Sequence, residues 1–439
     1  MSAVKAERYA AYKDSGVEWL GEVPAHWEVR RVKEISMLVN GATPKSSVSE
    51  NWDGELHWVT TDDLGKLSSK FITDTKRKIT EQGYASCGTT ICPIGSVVIS
   101  GRAPIGHIGI LSINASSNQG CKTLVLNQKI VNNIFIFYGL LSSKSKLEAL
   151  GRGTTFIELS SKELGLFNLP LPSLLEQTAI AAYLDTKTAQ IDRQIDLLSQ
   201  KATQYGKLKQ SLINETVTRG LDKSVPMKDS GVEWIGEVPE HWGVRRINDI
   251  AIQNKTKNSS LIETNLLSLS YGRIIRKDFN TSFGLLPESF ETYQVVNEGT
   301  VILRLTDLQN DQRSLRVGHA NERGIITSAY LGLVFNRSIN SNFAYYLLHV
   351  YDLAKVFYWF GGGLRSTMRF DDIKVIPFVI PPLNEQKTIA KYLDEKTTQI
   401  DRIVTTINSQ IDKQKALRKA LINDVVTGKI KVVCEGEAV

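Results

Sequence analysis

The chain has 439 residues, 42% of them hydrophobic and 23% charged, with a formal net charge of +7. That composition belongs to an ordinary globular protein of two or three domains, not to a disordered or fibrous one, and the positive balance suits a polyanionic partner. No run of 18 apolar residues is written, and no apolar segment follows the first charges, so a membrane span and a secretory signal are excluded by pattern and the cytoplasm is the expected compartment.

In chain order the first recognisable element is KDSGVEWLGEVPAHWEVRR at 13–31, and it returns as KDSGVEWIGEVPEHWGVRR at 228–246. Aligned over 12–31 and 227–246, the copies agree at 16 of 20 positions with a constant offset of 215. A second block at 172–193 matches 381–402 at 15 of 22 positions with an offset of 209. Between the blocks the two copies diverge, so a frame is duplicated around two different inserts, 32–171 and 247–380. The boundaries expected are a first domain over 1–171, a long helix over 172–222, a second domain over 223–380, a second long helix over 381–432, and a tail over 433–439.

The inserts read as mixed α/β, with VVISGRAPIGHIGIL and GTVILRLTDL as strand and loop. The 13–31 block is expected to dock each insert onto the helix ends through Trp19, Val23, Pro24 and Trp27, with His26 and His241 as structural neighbours of tryptophan. From Ile180 the apolar positions continue through Leu184, Ile191, Ile195, Leu198, Leu208 and Leu212; in the other copy they are Ile389, Leu393, Ile400, Val404, Ile407, Ile411, Leu417 and Leu421. Steps of three, four and seven make one narrow stripe, the seam of a coiled coil. Each helix of about 42 residues is roughly 60 Å long and needs a partner, and the matching stripe of its duplicate is the obvious one. Two-fold duplication predicts an antiparallel pair, inserts at opposite ends, and chain termini close together. Ser173 and Glu176 fit a capping box, and Gln414 interrupts the apolar seam where the first copy has Tyr205.

Catalytic motifs are missing: no phosphate-binding glycine loop, no dinucleotide fingerprint, no metalloprotease helix and no methyltransferase tetrapeptide is present. Cys87, Cys92, Cys121 and Cys434 are too few for a disulfide framework, and no histidine completes a zinc set with them. The inserts do carry glycine-rich turns with arginine, at Arg102, Arg152, Arg365 and Arg369, and a second arginine cluster at Arg304, Arg313 and Arg316. Glycine permits close backbone approach, and arginine pairs with guanine or clamps phosphate, so these seven are the candidate DNA contacts.

The duplicated KDSGVEW.GEVP.HW block, the duplicated P...EQ..IA.YLD..T.QID helix starts and the two dissimilar inserts resemble the DNA-specificity subunit of type I restriction-modification systems. The resemblance implies two α/β target recognition domains, each reading one half of an asymmetric bipartite target in double-stranded DNA, with the helices acting as a ruler. It implies no catalysis in this chain and no metal. Two methyltransferase subunits binding S-adenosylmethionine, and restriction subunits using ATP and magnesium, are the implied partners; a membrane is not. A duplicated DNA-binding adaptor without a methyltransferase is the alternative.

Overall fold

The computed structural model describes residues 7–153, 157–259, 261–278, 289–308, 315–360 and 367–432. The chain divides into two compact units, one formed by residues 1–198 with 409–439, the other by 199–408. Among the described residues no helix is long and apolar enough to cross a membrane.

In the first unit the frame block folds into a hairpin of Tyr12–Asp14 and Glu22–Pro24, after which Glu28–Arg31 pairs antiparallel with Asn168–Leu171. The insert therefore leaves and re-enters the frame on adjacent strands. Its core is a five-stranded sheet in the order Ser36–Asn40, Cys121–Leu126, Val97–Ser100, Ile108–Leu111, Phe71–Ile72. The central strand Val97–Ser100 is buried at every position, which explains its unbroken apolar start: both faces are covered. Helix α1, Asn133–Ser142, is capped by Asn132 and lends Phe135, Ile136 and Leu140 to a cluster holding Val97, Ile99, Leu124 and the frame's Trp27. A smaller sheet of Ala115–Ser117, Trp52–Val59 and Lys78–Ile79 completes the insert. Cys92 and Cys121 sit in one apolar cluster, where burial pushes the Cys121 thiol up to about 12.

The long helix α2 spans Leu174–Arg219, with 174–198 in the first unit and the rest in the second. The second unit repeats the plan. Gly243–Arg246 pairs with Pro377–Ile380, and the insert sheet runs Ala251–Gln253, Leu331–Phe335, Val301–Leu303, Val317–His319. Among the described residues this is the first unit's order for its first four strands; a separate hairpin of Leu267–Ser270 and Arg273–Arg276 packs beside Val317–His319. Helix α3, Ser341–Leu353, is capped by Asn340 as α1 is by Asn132. The second long helix, α4, spans Leu383–Val426.

Within each unit the long helices run antiparallel. In the first, Arg418 reaches Asp192 at 2.9 Å while Ile422 and Val425 share a cluster with Leu184 and Ile180. In the second, Lys209 reaches Asp401 at 2.7 Å while Ile213 and Val217 share a cluster with Leu393 and Ile389. Of the expected seam, Ile180, Leu184, Ile191, Ile389, Leu393, Ile400, Ile407 and Ile411 are buried, and Ile195, Leu198, Leu212, Val404 and Leu421 are half-buried. Leu208 and Leu417 are not seam residues: they are 53% and 54% exposed. A step of four from Tyr205 and from Gln414 brings Lys209 and Arg418 inward, and these are the residues that form the two ion pairs. The seam is polar there, so an apolar pattern alone picks the neighbouring leucine. Gln414 lies in the seam with its Oε1 buried and without a hydrogen-bond partner.

The second residue of the expected capping box is also used differently. Ser173 Oγ accepts from the Glu176 N–H at 3.3 Å, but the Glu176 carboxylate turns to the frame block. Its Oε1 accepts from the Trp27 Nε1–H at 3.0 Å and the Tyr9 hydroxyl at 2.6 Å, and His26 Nε2 lies 3.1 Å from Oε2. In the second copy Glu385 receives Trp242 at 3.2 Å and His241 at 2.8 Å. The next residue, glutamine in both copies, is wholly buried. Gln177 Oε1 accepts from the Asn132 N–H while its Nε2 donates to Pro172 O and Ile130 O; Gln386 does the same with Asn340, Pro381 and Ser338. The EQ pair thus locks the frame block and the capped insert helix to the start of the long helix. Trp19 stacks on Phe167, 5.2 Å between centroids. The described chain ends meet: the Lys431 N–H donates to Glu7 O at 2.8 Å, and the Tyr12 hydroxyl to Gly428 O at 3.0 Å.

Candidate nucleic-acid interface

The first insert gathers two of the arginines singled out by sequence around one acidic residue. Arg102 follows the central strand Val97–Ser100, and a short bridge pairs its backbone with Glu158. Arg152 pairs with the same residue, its N–H donating to Glu158 O at 3.1 Å and its carbonyl accepting from the Glu158 N–H at 3.0 Å. The Glu158 carboxylate accepts from Arg102 Nε at 3.0 Å and from the buried Lys122 Nζ at 3.1 Å. Burial pushes that carboxyl up, and the hydrogen bonds from Lys122 and Arg102 outweigh it, so it sits below its ordinary value. Arg102 is thereby held with 43% of its side chain exposed, while Arg152, paired with Glu163 at 2.8 Å, is 82% exposed. Arg102 and Lys122 share one carboxylate, so that cluster keeps one net positive charge, while the charge of the exposed Arg152 is offset by Glu163.

The second insert treats its arginines differently. Arg316 is wholly buried: Nη1 donates to Arg304 O and Thr306 O, Nη2 to Asp307 O, and its N–H to the Asp352 carboxylate at 2.6 Å. The expectation of a DNA contact there is replaced by a structural role, since the five-donor fork satisfies the carbonyls of a turn that leaves strand Val301–Leu303. Arg304 is half-buried beside it, its N–H donating to Arg316 O at 2.8 Å. Arg369 is exposed at the start of a short helix, Phe370–Ile373, with its N–H donating to Asp372 at 2.7 Å. Arg313 and Arg365 lie outside the described residues.

A family model described as the type I restriction modification DNA specificity domain matches residues 24–203 and again 239–413. The chain belongs to that family. Among relatives of this DNA specificity family, the MjaIX specificity subunit of Methanocaldococcus jannaschii is 26% identical over 94% of this chain and 95% of its own length. The EcoR124I/EcoR124II specificity subunit of Escherichia coli is 25% identical over 45% of this chain and 49% of its own. Of solved structures, a chain from a type I R-M system covers 92% of this chain and 98% of itself with a TM-score of 0.69 at 16% identity. The HsdS subunit of Thermoanaerobacter tengcongensis covers 93% and 98% with a TM-score of 0.53 at 16% identity. The fold is shared well beyond the level of sequence likeness.

Sequence reasoning missed how far this specificity-domain frame extends into the inserts. Tyr138 of α1 donates to Asp185 at 2.7 Å and lies 3.1 Å from Thr188 Oγ1; Tyr346 of α3 does the same with Asp394 at 2.7 Å and Thr397 at 3.3 Å. Burial pushes both phenols up. The signal was present: Asn132, Phe135 and Tyr138 recur as Asn340, Phe343 and Tyr346 at an offset of 208. Three identities spaced over one helix face are invisible to a comparison that asks for contiguous likeness.

Proposed function

We propose that this chain is the specificity subunit of a type I restriction-modification system, with each insert reading one half of an asymmetric bipartite DNA sequence. One observation carries the reading. A common sheet, a common capped helix and a duplicated frame hold loops that differ completely between the units: Arg102, Arg152 and Glu158 in one, a buried arginine turn in the other. Conserved scaffolding with divergent loops is what two readers of different sequence require, since phosphate contacts fix position and base contacts carry the information.

Catalysis is assigned to partners. Two methyltransferase subunits would supply S-adenosylmethionine chemistry, and restriction subunits ATP and magnesium chemistry, while this chain contributes recognition and attachment. Two copies of one partner fit the duplicated features that the long helices carry at matching places in the two units. Leu208 and Leu417 are exposed equally, and Lys187 and Lys396 each lie 5.8 Å over the ring of Tyr183 or Tyr392. The test is to co-express the chain with a methyltransferase subunit of a type I system and map methylated adenines, then to replace residues 32–171 by another family member's insert. One half of the methylated motif should change and the other remain. A change in both halves, or no bipartite motif, refutes the reading.

A further inference from the structure

In the first insert, residues 118–120 (Asn-Gln-Gly) join Ala115–Ser117 of the small sheet to Cys121–Leu126 of the large one. The backbone of this turn is pinned on several sides. The Asn118 N–H donates to Val59 O at 2.9 Å, the Cys121 N–H to Asn118 O at 3.0 Å, and the Gly101 N–H to Gly120 O at 2.7 Å. Asn118 folds its own Oδ1 back onto the Gly120 N–H at 3.1 Å. Gly41 passes so close that a Cβ there would stand 1.9 Å from Asn118 O, so the neighbouring strand end accepts no side chain at this point.

What this turn presents outward is Gln119, an exposed side chain on an immobilised backbone. Its Oε1 accepts the hydroxyl of Thr43, itself exposed. With the amide oxygen facing Thr43, both Nε2 hydrogens and the second lone pair of Oε1 are left for a ligand. The Arg102 stem passes the same turn, its Cδ 3.7 Å from a Cβ position on Gly120, and its guanidinium is held by Glu158.

We propose that Gln119 is a base-reading residue of the first insert, recognising adenine in the major groove, with Thr43 as its positioning residue and Arg102 on the adjoining phosphates. The proposal rests on the specificity-subunit reading above. The chemistry is that of an amide on adenine: Nε2–H donates to N7 and Oε1 accepts from N6–H, a pairing that no other base offers. The backbone bonds of the turn, with Thr43 beside the amide, lower the ordering cost that a free glutamine would meet on binding.

The test uses the complete methyltransferase complex, with methylated adenines mapped for wild type, Gln119→Ala, Gln119→Glu and Thr43→Val, and assembly measured alongside. Gln119→Ala should lose tenfold or more of its base preference at one position of one half-site, with the other half-site unchanged. Gln119→Glu should move that position toward cytosine, whose N4 donates to a carboxylate. Thr43→Val should relax the same position more weakly. An unchanged motif in both Gln119 variants overturns the proposal, and so does a uniform loss across the motif, which would mean mere support of the fold. Absence of a bipartite motif with the wild-type chain would instead defeat the underlying specificity-subunit reading and this proposal with it.

Discussion

Replacing Glu176 by alanine tests whether the duplicated frame block is a structural clamp. The substitution strands the Trp27 indole N–H, which is wholly buried and cannot turn to water, and releases the Tyr9 hydroxyl, which can. Hydrogen bonds to a charged acceptor contribute about 1.5–3 kcal/mol each, and a buried donor left unpaired costs about 1–3 kcal/mol. Against that, removing a carboxylate whose side chain is only 11% exposed recovers part of its desolvation cost. The net destabilisation expected is about 2–4 kcal/mol. The second copy supplies the internal control: Glu385 is 27% exposed, its indole bond is longer at 3.2 Å, and Ser224 stands where the first copy has Tyr9, so Glu385→Ala should cost about 1–2 kcal/mol. Urea unfolding gives the totals, and amide hydrogen exchange over 20–31 and 235–246 assigns each loss to its own clamp. Glu176→Gln, which keeps an acceptor for the indole, should restore more than half the loss. Equal costs at the two sites, or a Glu176→Ala protein as stable as wild type, would refute the reasoning.

Leu208→Lys combined with Leu417→Lys should leave the thermal midpoint within about 2 °C of wild type, since exposed positions are usually worth within about 0.5 kcal/mol, yet abolish co-purification of the methyltransferase; retained co-purification would remove these leucines from the partner surface. Burial lowers the His349 imidazole to about 4, so above the ordinary histidine value it adds no pH dependence, and as pH falls the unfolded chain takes up a proton that the native state refuses. Stability of the second unit should therefore drop by about 3 kcal/mol between roughly pH 7 and pH 4. His349→Leu, the residue that stands at the corresponding position 141 of the first unit, should flatten the profile, as read by urea midpoints across that range.

Which parts of this structure were legible in sequence follows from how each residue is constrained. The frame blocks, the antiparallel helices and the meeting of the chain ends were readable because identical residues recur at fixed offsets and a seam must repeat every three or four positions. The same rule failed at Leu208 and Leu417, because a position defined by geometry was filled by Lys209 and Arg418, whose inward placement depends on Asp401 and Asp192 across the helix pair. Glu176 was visible as a helix-start residue, but its tryptophan and tyrosine donors come from some 150 residues earlier in the chain, and no local pattern encodes that. Arg316 was legible as one of a cluster of arginines, not as one folded inward, since the carbonyls it satisfies belong to a turn about ten residues earlier, after the strand Val301–Leu303. The pinned Asn-Gln-Gly turn gave no signal at all, being three polar residues whose rigidity comes from Gly41, Val59 and Gly101.

The bond from Tyr12 to Gly428 spans 416 positions of the chain. Residues 199–408 form one continuous stretch, so the second unit has all its parts once that stretch has left the ribosome. The first unit does not: its part before residue 199 precedes the second unit in the chain but must wait, with the Trp27 indole and the apolar face of the frame block partly uncovered, until Val425, Val426 and Gly428, which follow the second unit, have emerged. Vectorial synthesis thus inverts the order of completion: the first unit begins before the second and is sealed after it. That delay concentrates the hazard of misassembly at the N-terminal half, where long-range contacts make closure slow.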